Sequence, residues 1–151
     1  MRVLVDADAC PVKDEIYRVA IRHAVAVTVV SNSGMRMPGH PLVGQVMVSD
    51  GFDAADDWIA ENSGADAVVI TGDILLADRC LKAGAVVLGH NGRAFTANSI
   101  GSAIAVRAIM ADLRAGGDVI PGGAAAFSKA DRSRFVQALD AALVAGLRRG
   151  A

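Results

Sequence analysis

Aromatic side chains are scarce in this chain: one Trp, one Tyr and four Phe, 4% of its 151 residues. A core without many rings must be filled by small aliphatic groups. The abundance of Ala, Val and Gly suits helices packed closely on a sheet. Cysteine is scarcer still. Cys10 and Cys80 fall in different segments and match no zinc-ligand spacing. The formal net charge is only −1. No whole-molecule field therefore draws in a polyanion, and any such contact has to be local. No apolar run is long enough to span a bilayer and no signal peptide opens the chain. The expectation is a soluble, reduced, cytoplasmic protein of one domain, without internal repeats and with no membrane partner.

What is present is a short apolar strand that ends in charge. Val3-Leu4-Val5 runs into Asp6-Ala7-Asp8-Ala9-Cys10-Pro11-Val12-Lys13. Burying an ionised carboxylate without a partner is costly, so two at the mouth of a central strand invite a use. The bland alternative is that Asp6 and Asp8 only shape a turn and cap the next helix. Pro11 suits a helix start, and Val12, Ile16, Val19 and Ala20 fall on one face of a helix reaching about His23.

Val25–Val30 reads as a second strand, stopped by Ser31-Asn32-Ser33-Gly34. After a proline-bearing loop with Arg36 and His40, Val43–Val48 reads as a third strand, placed at a sheet edge. Ala67–Thr71 is a fourth and Ala85–Leu88 a fifth, with a turn-rich Gly89–Phe95 loop and Thr96 as N-cap of the next helix. That helix is expected to reach about Arg114 and to stop at Gly116-Gly117. Val119–Phe127 is glycine-rich and expected to be mobile. Ser128-Lys129-Ala130-Asp131 resembles a capping box that opens a final helix to about Leu147. Alternating strands and helices predict an α/β three-layer sandwich with a mostly parallel sheet. Its site would lie beyond the carboxyl ends of the strands.

Two further acidic clusters fall at such ends. Asp50, Asp53, Asp56 and Asp57 lie within eight residues, more than one helix cap needs. Asp53 with Asp56, and Asp53 with Asp57, are spaced to share a helical face, where like charges repel unless a cation sits between them. Gly72-Asp73 follows the fourth strand, with Asp78 a turn later. Carboxylates collected in a small volume raise one another's pKa or recruit a divalent ion. An all-oxygen set favours Mg²⁺ or Mn²⁺, and such ions serve phosphoryl chemistry.

Asp-Ala-Asp-Ala-Cys-Pro-Val-Lys (Asp6–Lys13), Gly-Phe-Asp-Ala-Ala-Asp (Gly51–Asp56), Val-Ile-Thr-Gly-Asp-Ile-Leu-Leu-Ala (Val69–Ala77) and Phe-Thr-Ala-Asn-Ser-Ile (Phe95–Ile100) occur in one order. In that order they resemble the YaiI/YqxD family (UPF0178, DUF188) over nearly the whole chain. The resemblance implies a PIN-like nuclease fold with a five-stranded sheet ordered 3-2-1-4-5, which sets Asp6 beside Asp73. It implies Asp6, Asp8 and Asp73 as catalytic metal ligands, with Asp53 or Asp56 added from the intervening helix. The partner implied is a nucleic acid, RNA in first place; a homodimer stays open. Leu75, where the family usually has proline, Ser31, where alanine often precedes Asn32, and the looser Gly122–Ala126 segment depart from the pattern without touching a carboxylate.

Around that core stand lesser candidates. Cys10, at an expected helix N-terminus, is a candidate redox-sensitive thiol; its alternative is a small buried residue in a tight turn. Lys13 contacts phosphate or is merely solvated. Arg36 and Arg93, on glycine-flanked loops, are candidates to grip a nucleic-acid backbone, and Asn32 and Thr96 complete the substrate-binding set. His90 and Asn91 follow strand five on the same side. Phe52 and Trp58 are read as packing rather than base-stacking. Two rivals stay open. One is a haloacid-dehalogenase-like phosphatase with Asp6 as nucleophile and Asp8 as acid. It lacks its lysine, since none lies between Lys13 and Lys82, and lacks room for a flap after Asp8. The other is a non-catalytic RNA- or protein-binding module of PIN-like shape.

Overall fold

The computed structural model of the chain describes residues 1–8, 10–49, 51, 53–102, 104–105 and 127–150. Its centre is an all-parallel five-stranded sheet of β1 (Arg2–Asp6), β2 (Ala26–Ser31), β3 (Val43–Met47), β4 (Ala67–Ile70) and β5 (Val86–Leu88), in the order β3-β2-β1-β4-β5. β3 lies at an edge, as the sequence suggests. The helices are α1 (Lys13–Arg22), α2 (Ala54–Asn62), α3 (Ile74–Lys82) and a C-terminal helix, Lys129–Arg149, with residues 97–102 also helical. No helix among the described residues is long and apolar enough to cross a membrane.

Strand periodicity sorts the core into two layers. From β1, Val3 and Val5 face α1 and the C-terminal helix, whereas Leu4 faces α2 and α3. β4 repeats this, with Val68 and Ile70 on the first side and Val69 on the second. Strands buried on both faces are apolar throughout, which is why β1 and β4 carry no alternating polar residue. The three-layer α/β sandwich and its strand order are thus as expected. Within the first layer, Ile16, Val19 and Ala20 of α1 meet Phe135, Leu139 and Leu143 of the C-terminal helix, all buried. Arg22 and His23 both reach Asp140, at 2.8 and 2.6 Å, and Arg132 reaches Glu15 at 3.0 Å and the Pro11 carbonyl at 2.8 Å.

The local start signals also hold. Ser128 and Asp131 form a reciprocal capping box, and the Thr96 hydroxyl accepts from the Ser99 amide at 3.1 Å. Trp58 packs, half-buried, against the α2–α3 layer. The expected course of the helix beyond residue 105, its Gly116-Gly117 stop, the 119–126 stretch, Asp50 and Phe52 lie outside the described residues.

After β5 the chain folds back as a tight hairpin. The Gly89 amide donates to the Arg93 carbonyl at 2.9 Å, the Arg93 amide to Asn91 Oδ1 at 3.0 Å, and Ala94 bridges Leu88 in antiparallel sense. Gly92, at its tip, has φ +85°, and a Cβ there would stand 2.5 Å from the Arg134 carbonyl oxygen. Only glycine allows both that dihedral and that approach to the C-terminal helix. Gly92→Ala is expected to cost about 2–4 kcal/mol, combining left-handed backbone strain with overpacking against backbone. Thermal unfolding checks this; an unchanged Tm would show that the hairpin is not seated on the helix.

Candidate functional site

β1 and β4 are neighbours with Val5 opposite Ile70, so the residues that follow them emerge together. Asp6, the last residue of β1, is half-buried. Thr71, one residue past β4, is fully buried and its hydroxyl donates to Asp6 Oδ2 at 2.9 Å. The same hydroxyl oxygen accepts from the Asp73 amide at 3.0 Å. Thr71 thus ties the two acidic positions to one atom. It was not singled out from sequence, although its place between an apolar strand and Gly72-Asp73 is the signal that could have found it.

Asp73 is the N-cap of α3, its Oδ1 accepting from the Leu75 and Leu76 amides at 2.8 and 3.2 Å. Its capping role and its proximity to Asp6 coexist. Asp56 enters from the first turn of α2. Burial, then Asp73, Asp6 and Asp53, push its carboxyl up to about 6, with Arg79 opposing. Asp6 is also raised, chiefly by burial and further by Asp8 and Asp73, while the Thr71 hydrogen bond pulls the other way. Asp53 does not cap with its side chain; it sits at φ +63° before α2 and leaves its carboxylate exposed. Asp8, Asn32, Asp53 and Asp56 share the lining of a cavity of about 260 Å³ with Ser49 and Gly51. The structure therefore brings Asp6, Asp8, Asp53, Asp56 and Asp73 to one edge.

The donor set, all carboxylate oxygen and mutually repelling, fits a hard divalent cation. Among the described residues, no three such side chains stand close enough to grip one ion as they are. Asp57 and Asp78 are not part of the gathering. The face that Asp57 was expected to share with Asp53 is replaced by an ion pair to Arg79 at 2.8 Å, and Asp78 pairs with Lys82 at 2.9 Å.

The other candidates divide. Of the two readings of Cys10, burial favours the second: it is 6% exposed and burial pushes its thiol up, with Asp6 and Glu15 adding to that against Val12 and Lys13. Desolvation of the thiolate outweighs the helix start, because α1 begins only at Lys13 and Val12 precedes it. The reading as a small buried residue holds. The Thr96 hydroxyl is occupied as a cap. Arg36 is exposed and lines neither this cavity nor the one around His90. Lys13 is half-buried at the start of α1. Arg93, His90 and Asn91 line a second cavity that reaches Gly72.

A raised carboxyl favours the folded state while it is protonated, so the contribution of Asp56 is present in full below its ordinary value of 3.8 and is lost as pH rises through about 6. Asp56→Asn is therefore expected to stabilise the metal-free protein near neutrality by on the order of 1 kcal/mol, a figure reduced for the solvent that reaches the group. The gain should shrink toward zero as the pH is lowered to about 4. Melting curves across that range check it; a pH-independent difference would mean that Asp56 does not feel its neighbours.

A family model described as "Uncharacterized BCR, YaiI/YqxD family" (DUF188) matches residues 4–145. The UPF0178 protein of Sphingopyxis alaskensis is 70% identical over 142 residues, covering 94% of this chain and 92% of that protein. Those of a Jannaschia species and of Nitrobacter winogradskyi are 59% and 56% identical over 143 residues each, covering 93% and 95% of this chain and 91% and 90% of those proteins. No solved structure matches the chain.

Proposed function

We propose, starting from the chain's membership of the YaiI/YqxD family (UPF0178, DUF188), that it is a divalent-metal-dependent phosphodiesterase of PIN-like type, acting on RNA. The observation that carries this reading is the meeting of Asp6 at the end of β1, Asp56 in the first turn of α2 and Asp73 at the start of α3, with Asp6 and Asp73 tied to one Thr71 hydroxyl. Each of three chain segments contributes a carboxylate that raises, or is raised by, the others. A fold that holds like charges together bears a standing electrostatic cost, and a cation removes it.

Asp6 and Asp73 would hold Mg²⁺ or Mn²⁺, with Asp56 and the exposed Asp8 and Asp53 completing the shell. When bound, the ion supplies Lewis-acid polarisation of a phosphoryl oxygen and offsets charge in the transition state. The protein's own part is positional. Thr71 fixes one oxygen of Asp6, and two backbone amides fix Oδ1 of Asp73. Asn32, beside Asp8 and Asp56, offers an uncharged donor to a phosphate oxygen.

The phosphatase alternative has less support. Ser31, which would serve its second motif, is buried and bonded to Gln45 Nε2 at 2.8 Å and to the Ser33 carbonyl at 2.6 Å. α1 starts at Lys13 and leaves no space for a flap after Asp8. The binding-module alternative is favoured by one observation, the lack of three pre-gathered ligands among the described residues.

Mn²⁺-dependent cleavage of end-labelled RNA and DNA separates these. Wild type is expected to cut RNA, and Asp73→Asn to lose roughly two orders of magnitude or more. Asn caps a helix as well as Asp does, so that variant should keep its Tm. Equal cleavage by both proteins would place the site elsewhere. Absence of cleavage, together with no Mn²⁺-induced rise in Tm, would leave the binding module.

A further inference from the structure

Next to the acidic edge lies a larger cavity, about 670 Å³, which Asp6, Asp8, Asp53, Asp56 and Asp73 do not line. One wall is Gly72, which separates Thr71 from Asp73, and the hairpin that follows β5. Phe127, just before the C-terminal helix, and Asp131, in its first turn, complete the lining. A volume of that order takes a nucleotide-sized ligand with solvent to spare.

We propose that this cavity is a nucleotide subsite, which seats one unpaired base of a single-stranded nucleic acid whose backbone passes the acidic edge. In this it rests on the phosphodiesterase reading and names its substrate as single-stranded.

Several features carry the assignment. In a chain with so few rings, two of the four phenylalanines, Phe95 and Phe127, line this one cavity. Both are half-buried, so part of each ring is open to a ligand. The Arg132 guanidinium lies 5.0 Å from the centre of the Phe127 ring and holds it in place. Aromatic faces of this kind stack any base, whatever its sequence. Arg93 lines the same space and is exposed, as a phosphate contact requires. Asp131, the one carboxylate lining it among the described residues, is already committed to the Ser128 cap and to Arg134, so it opposes an incoming phosphate less than a free charge would.

Polar recognition is also on hand. His90 lies against Gly72, its Cε1 3.4 Å from where a Cβ on that residue would stand. Its Nε2 is buried and has no hydrogen-bond partner among the described residues. Burial lowers its pKa and so favours the neutral ring, which carries one donor and one acceptor. Asn91 and Arg93 are held on either side of Gly92, whose seat on the C-terminal helix fixes the hairpin before any ligand arrives. A loop fixed in advance loses little entropy on binding.

The test is fluorescence anisotropy with a labelled single-stranded RNA oligonucleotide in EDTA, where cleavage cannot occur. Wild type should bind it, and the same strand annealed to its complement should bind at least ~10-fold more weakly, because a paired base cannot enter. Phe127→Ala and Arg93→Ala should each weaken single-strand binding by roughly tenfold. Arg93 is exposed, so its variant keeps its fold, and circular dichroism verifies Phe127→Ala. Asp73→Asn, which removes a negative charge from the edge that the backbone passes, should bind no more weakly than wild type. Equal affinity in wild type and Arg93→Ala, or equal affinity for single strand and duplex, would overturn the subsite. Binding lost in both cavity variants but no Mn²⁺-dependent cleavage by wild type would sustain the subsite and remove the phosphodiesterase reading instead.

Discussion

The hydrogen bond from the Thr71 hydroxyl to Asp6 holds the acidic edge together. It exists because β1 and β4 lie side by side and in parallel, so two chain segments sixty-five residues apart end at the same level. Parallel neighbours send their carboxyl ends to one side of the sheet, and whatever polar residues follow them are collected there. Asp6, Asp8 and Asp73 are collected in this way, and α2 adds Asp53 and Asp56 from the layer on the far side of the sheet. The outcome is a cluster of like charges that burial makes worse, as the shift of Asp56 to about 6 records.

A second support of that edge lies away from it. The C-terminal helix packs Phe135, Leu139 and Leu143 against α1 and thereby fixes the helix that follows Asp6 and Asp8. The same helix receives Gly92 of the hairpin after β5. One buttress therefore sets both the entry to α1 and the wall of the cavity beside Gly72. Apolar contact supplies the bulk of that hold, since the Arg22–Asp140 ion pair is a surface feature of small worth.

The layers were legible because each rests on a periodic or local signal. Continuous apolar runs give strands buried on both faces, the Val12–Ile16–Val19–Ala20 spacing gives the inner face of α1, and Thr96 and Ser128 announce their helices. The carboxylate readings were legible as a list of acidic positions but not as a partition of it. Asp53, Asp56 and Asp57 look alike in sequence. Yet Asp57 turns to Arg79, Asp53 stays exposed, and only Asp56 is pushed to about 6, first by burial and then by the Asp73, Asp6 and Asp53 carboxylates. For Cys10 the sequence leaves a reactive thiol and a small buried residue both open; its helix starts two residues later than Pro11 suggests, and burial raises the thiol.

By itself, then, the sequence determined the alternation of elements, the layering of the core and the family, because hydrophobic period, cap residues and ordered motifs act over a few residues at a time. Only the tertiary structure decided which acidic residues share an edge, that Thr71 joins two of them, and that a hairpin locked by one glycine opens a cavity beside them. Those facts depend on distances between segments that the chain itself keeps far apart, and electrostatic and hydrogen-bonding energies are set by those distances.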